Sequence, residues 1–296
     1  MESTRRQFLA AAGSTAVLSA APTSYRIIDP HVHVWKRDSA YPFAKETKHP
    51  PDFDATPEML LGLMRANGVS KTVIIQVIHY LWDNRYLAHV LKQYPDYFHG
   101  VARVNPESPD APDDLSRLVE EQGFRGVRIS PSAGADGDWI RRPLMPPLWR
   151  RCEDLRVAMT VLAPVTRMPD VEKLVAQFPG LNVVIDHMAD CPLGHPELLA
   201  KLTALARYPK VFVKVSHTWS LSKLPYPYLD AQMQVKQLYD VFGPQRLMWG
   251  TDWPIDIPYC GYAKALAMVR DEMKFLNADD KHWMLSKTIE RVWPFS

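Results

Sequence analysis

Eight short apolar runs, each followed by a stretch with helical spacing, constrain this chain more than any other feature. The first run is Ile27-Ile28-Asp29-Pro30-His31-Val32-His33-Val34-Trp35, and the others lie at 72–77, 98–105, 124–130, 157–163, 182–188, 210–217 and 245–252. Helical segments are predicted at 58–66, 84–93, 113–121, 145–155, 168–177, 196–207 and 228–242, and two more, at 262–275 and 278–292, close the chain. Strands that are apolar on both faces belong to parallel sheets covered by helices. Eight such units in residues 25–296 predict an α/β chain folded as one (β/α)8 TIM barrel. An open dinucleotide-binding sheet is disfavoured, because no G-x-G-x-x-G opens a helix and no phosphate loop is present.

The barrel assignment directs attention to the strand ends, where such folds gather their chemistry. Those ends carry His31 and His33, Gln76, Asn105, Arg128, His187, Ser216 and His217, and Asp252. Side chains alternate along a strand, so His31 and His33 share a face, as do Lys214 and Ser216. His217 takes the opposite face unless the strand has begun to turn. Three histidines and an aspartate form a chemically complete set for zinc or a similar divalent ion. Arg128 can pair with a substrate carboxylate in two places. Trp35, two residues beyond His33, is the strongest candidate for an apolar pocket wall, ahead of Tyr80, Trp82 and Trp219. The charge-rich segment 36–57 is long for a loop and is expected to cover the site.

Composition excludes more than it selects. A net charge of +2 and the lack of a basic stripe argue against nucleic-acid binding. Three cysteines, Cys152, Cys191 and Cys260, have no metal spacing and cannot make a complete disulfide set. Residues 1–21 read as a secretory signal: Arg5-Arg6-Gln7-Phe8-Leu9 precedes a small apolar run that ends in Ser19-Ala20-Ala21. The paired arginines resemble the twin-arginine export motif. The expectation is therefore a periplasmic or otherwise exported protein with no stable membrane insertion.

The motifs Asp29-Pro-His31-Val-His33-Val-Trp35, Val184-Ile-Asp-His187-Met and Leu247-Met-Trp-Gly-Thr-Asp252-Trp-Pro254 together resemble the amidohydrolase-related hydrolases. Phe124-Arg-Gly-Val-Arg128 and Val211-Phe-Val-Lys-Val-Ser216 resemble the branch that opens sugar lactones and pyrone dicarboxylates. The resemblance implies hydrolysis of a small lactone by water activated at a centre of His31, His33, His187 and Asp252. Those four residues would also be the ligands of one divalent ion, zinc by preference. Arg128, Trp35, Lys214 and His217 would contact substrate. The wider superfamily often bridges two metals with a strand-four lysine; this chain has Arg128 there, which disfavours a binuclear site. The branch commonly has a small residue, often glycine, where this chain has His217. Metal-free members exist, and in that case the histidines would polarise the carbonyl by hydrogen bonding. Decarboxylation of a small aromatic acid, and ligand binding without turnover, are the alternatives.

Overall fold

The computed structural model describes residues 25–130 and 139–295. The expected export signal falls outside those residues. Eight parallel strands are present: β1 (Ile27–Val32), β2 (Val69–Ile75), β3 (Phe98–Val101), β4 (Gly126–Ile129), β5 (Ala158–Val161), β6 (Val183–Ile185), β7 (Val211–Val215) and β8 (Leu247–Trp249). They pair in sequence order, β1 to β3 and β4 to β8. Two short bridges join these sheets. Ala102 pairs with Val127, its N–H donating to Gly126 O at 2.9 Å. Val32 pairs with Trp253, and the Asp252 N–H donates to His31 O at 2.9 Å. The result is the (β/α)8 barrel that the periodicity predicts.

The helices follow from their apolar stripes. Arg85–Gln93 buries Tyr86, Leu87, Val90 and Leu91, one face at helical spacing. Pro57–Asn67 starts at a Thr56 side chain that accepts the Met59 N–H and ends at Gly68, whose φ of 70° suits a residue without Cβ. Each fully buried aliphatic side chain on such a face contributes about 1.5–3 kcal/mol. The C-terminal turns Trp283–Lys287 pack beneath β8 and β1. Trp293 then lies below the barrel interior with the Lys214 ammonium 5.4 Å from its ring. Gly126 makes room there: a Cβ would sit 2.8 Å from Ala158 O and 3.6 Å from the Trp293 indole nitrogen.

The 36–57 segment is tied down rather than free. Trp35 and Ala55 exchange both backbone hydrogen bonds, at 2.8 and 2.9 Å. The Tyr80 hydroxyl donates to Lys36 O, and Thr47 Oγ1 donates to His79 O.

Candidate active site

The site is built where β1 meets the chain leaving β8. Asp29 stitches the two together: it accepts from the Thr251 hydroxyl at 2.6 Å and from the His31 N–H at 3.1 Å. Burial outweighs these bonds and pushes its carboxyl up to about 6. Gly250 allows the close approach, since a Cβ there would lie 3.1 Å from the His31 Cβ. Asp252 follows with φ of 60°, which turns its carboxylate over the barrel mouth.

Three imidazoles converge on that carboxylate. His31 Nε2 and His33 Nε2 lie 3.3 and 3.2 Å from Oδ1, and His217 Nε2 donates to Oδ2 at 2.7 Å. Burial alone would raise Asp252, but the hydrogen bond from His217 and the surrounding His33, His187 and His31 rings hold it well below the usual carboxylate range. His33 donates through Nδ1 to Ile75 O at 2.7 Å, which fixes its ring with the Nε2 edge toward Asp252.

Beneath His31 sits a sealed ion cluster. Lys214 Nζ is 3.0 Å from Asp186 Oδ1 and 3.0 Å from His31 Nδ1. Arg128 Nε donates to Asp186 Oδ2 at 2.9 Å. Burial would raise Asp186, yet Lys214, His31 and Arg128 keep it well below the usual range. Burial and the Lys214 ammonium push His31 down to about 3, so its ring is neutral. Either tautomer finds partners. With Nδ1–H directed at Asp186, 3.3 Å away, Nε2 is a free lone pair; with Nδ1 accepting from Lys214, Nε2–H faces Asp252.

His187 is fixed on two sides. Its Nδ1 meets Ser216 Oγ at 2.8 Å, and its ring stacks on His217 with centroids 3.5 Å apart and planes 1° apart. Burial, with His217 and His31 nearby, lowers His187 well below the ordinary imidazole value. His217 reaches onward through Nδ1 to Asp190 Oδ1 at 3.0 Å. Burial would lower His217, but Asp190 and Asp252 outweigh it and raise the ring to about 9.

One ligand atom each from His31, His187 and Asp252 lies within 4.8 Å of the others. His31 Nε2 and Asp252 Oδ1 are buried and meet no hydrogen-bond partner among the described residues. Two imidazole nitrogens and a carboxylate oxygen this close, with His31 Nε2 and Asp252 Oδ1 unpartnered, suit a divalent transition ion. The pairing of His31 Nδ1 with Asp186 is the carboxylate–histidine arrangement that orients such ligands.

The amidohydrolase family model matches residues 28–295. The chain belongs to the amidohydrolase family. This amidohydrolase is a hydrolase-type enzyme and is 32% identical to an L-fucono-1,5-lactonase of Burkholderia ambifaria, over 77% of its own length and 80% of the relative's. It is 25% identical to the 2-pyrone-4,6-dicarboxylate hydrolase of Comamonas testosteroni, over 77% and 76%. A zinc-bound amidohydrolase structure from Burkholderia multivorans superposes with a TM-score of 0.76 at 21% identity, covering 92% of this chain and all of that one. At that identity the likeness speaks for the fold alone.

The amidohydrolase centre thus gathers His31, His33, His187, His217 and Asp252, all named from sequence. Of the four expected ligands, His31, His187 and Asp252 form the close group, and His33 Nε2 borders it, 3.2 Å from Asp252 Oδ1. The structure places the other three expected substrate contacts beside or beneath this centre. Lys214 is fully buried behind His31 and spends its ammonium on Asp186. Arg128 commits Nε to the same carboxylate. Trp35 is sealed under the following loop, its indole donating to Phe53 O at 2.8 Å. His217 does not take the opposite face, because β7 ends at Val215 and His217 has φ of 60°. Sequence reasoning missed Asp186 and Asp190. The signal for Asp186 lay in the motif, immediately before His187. Behind Asp29, Asp256 is also buried, and neither carboxylate oxygen meets a hydrogen-bond partner among the described residues. Burial, with Asp252 and Asp29 nearby, pushes it up to about 8.

Proposed function

We propose that this amidohydrolase opens a small neutral lactone of the sugar-acid type, with His31, His187 and Asp252 holding one divalent ion, zinc by preference. The observation that carries the reading is the single exposed task left to Asp252: Oδ2 is held by His217, while Oδ1 faces His31 and His33. An ion in that cradle supplies Lewis acidity for a carbonyl and lowers the pKa of water. Asp252, ionised, accepts a proton from the attacking water at Oδ1. Water oxygen bonds to the lactone carbonyl carbon, the ring C–O bond breaks, and the Asp252 proton passes to the departing alkoxide. The product is a hydroxy acid. The Nε2 edge of His33 borders the same space and is suited to hold the water or the carbonyl oxygen.

Charge supports a neutral substrate. In the described centre, Arg128 and Lys214 share Asp186, and His217 lies between Asp190 and Asp252. A pyrone dicarboxylate brings two negative charges, and each of these three cationic groups already faces a carboxylate. The similarity to the L-fucono-1,5-lactonase points the same way. The test is a panel of neutral aldonolactones, a pyrone dicarboxylate and a dihydroxybenzoate, followed by acid release or carbon dioxide release. Turnover of the aldonolactones is expected; carbon dioxide from the benzoate with no lactone opened overturns the reading. Arg5 and Arg6 support export by the twin-arginine route. Fractionation of cells making the wild type and a version with both arginines changed to lysine tests that, with loss of the periplasmic pool expected.

A further inference from the structure

The ring of His217 bridges two carboxylates, and only one of them belongs to the centre. Nε2 donates to Asp252 Oδ2 at 2.7 Å, and Nδ1 meets Asp190 Oδ1 at 3.0 Å. The same ring lies flat on His187 at 3.5 Å. Its backbone sits at φ of 60°, a conformation that costs a residue with a Cβ about 1 kcal/mol or more and that glycine adopts freely. Asp190 ends a left-handed run that begins at His187, with φ values of 51°, 53°, 55° and 45°. That run brings His187 and Asp190, three residues apart, to two sides of one imidazole. Four residues are thereby locked in register by a side chain that the hydrolytic step does not itself require.

We propose that His217 is a positioning residue: held by Asp190, it pins Asp252 Oδ2 so that Oδ1 alone is presented to the reacting water. A carboxylate on a short side chain rotates readily about its last bond. Held at one oxygen by a charge-assisted hydrogen bond, it offers the other in a fixed direction. Misplacing a reacting group by about 1 Å costs on the order of 100-fold in rate. Asp190 acts only through the imidazole, because its carboxylate contacts Nδ1 and not Asp252. The proposal deepens the lactonase reading and rests on Asp252 being the proton acceptor.

The test compares wild type, His217→Gln, His217→Ala, Asp190→Ala and the His217→Ala/Asp190→Ala double variant, purified with their own metal. On an accepted lactone, H217A is expected to lower kcat about 10- to 100-fold with KM within about twofold. H217Q, whose amide nitrogen reaches the place of Nε2, is expected to recover kcat to within about fivefold of wild type. D190A is expected to lower kcat several-fold in the wild-type background and to change nothing in the H217A background. A raised KM with unchanged kcat in H217A would make His217 a substrate contact and overturn the proposal. An equal cost of D190A in both backgrounds would remove Asp190 from it. Crystal structures of wild type, H217Q and H217A give a readout free of turnover. Asp252 is expected in one orientation in the first two and rotated or split in the third. If no lactone is opened yet Asp252 rotates in H217A, the lactonase reading fails and the positioning role stands. An unmoved Asp252 in H217A overturns the positioning role whatever the substrate.

Discussion

Replacing Lys214 by methionine isolates the sealed ion cluster beneath His31. The unbranched methionine follows the lysine stem, so little cavity is created and the lost ammonium dominates. At 3.0 Å from Asp186, the ammonium is worth about 5 kcal/mol of Coulomb attraction at an effective dielectric of 20. Removing it also removes its own desolvation cost, several kcal/mol, which is why breaking a buried pair typically costs about 3–5 kcal/mol. Arg128 still holds the other oxygen of Asp186 at 2.9 Å, which places the expected loss at the lower end, about 3 kcal/mol. For a chain of 296 residues that corresponds to a fall in Tm of roughly 5 °C. Urea unfolding followed by fluorescence and circular dichroism gives the free energy, and a thermal scan gives Tm. Asp186→Asn and the K214M/D186N double variant complete a cycle with an expected coupling of about 2 kcal/mol. If K214M unfolds within about 1 kcal/mol of wild type, or the two losses simply add, the cluster is not the interdependent unit described here.

Three further outcomes follow from single contacts. Gly250→Ala places a Cβ 3.1 Å from the His31 Cβ, and kcat is expected to fall about tenfold or more while Tm changes little; steady-state rates and a melting curve check both. Asp256 has its carboxyl raised from 3.8 to about 8, so the fold binds a proton that the unfolded chain has released; the stability this group contributes is full below about pH 4 and is lost as pH rises to about 8, by up to about 1.4 kcal/mol per unit. Asp256→Asn should flatten that slope in urea titrations across the window, and an unchanged slope would assign it to other groups. Chelation should abolish lactone opening and zinc should restore it, with one ion per chain by elemental analysis; full activity in metal-free protein would leave the histidines to polarise the carbonyl by hydrogen bonding.

The barrel was legible because strands buried on both faces must be apolar throughout, and helices between them must carry one apolar stripe. His31, His33, His187 and Asp252 were legible for a related reason: polar residues that terminate apolar runs stand out. What could not be read was local backbone handedness. Strand alternation sends neighbours to opposite faces, which placed His217 away from Lys214 and gave no reason to pair Asp186 with the centre. Left-handed φ at His187 and again at His217 breaks that alternation and folds both pairs into one centre. Arg128 and Lys214 were recognisable as interior cations, but their partner was Asp186, contributed by a different strand end. Trp35 followed the motif into place and was then covered by its own loop, through contacts to Phe53 and Ala55 that spacing does not encode.

Opening of a lactone ring by one carboxylate and its surrounding histidines is the activity proposed for this amidohydrolase. Its most direct test is the initial rate of hydroxy-acid formation from an accepted aldonolactone by wild type, Asp252→Asn and His187→Ala, each confirmed folded by circular dichroism. The expected result is a fall of at least about 100-fold in kcat for Asp252→Asn, which keeps shape and loses the proton acceptor, and a comparable fall for His187→Ala. Rates equal to wild type in either folded variant would contradict the account.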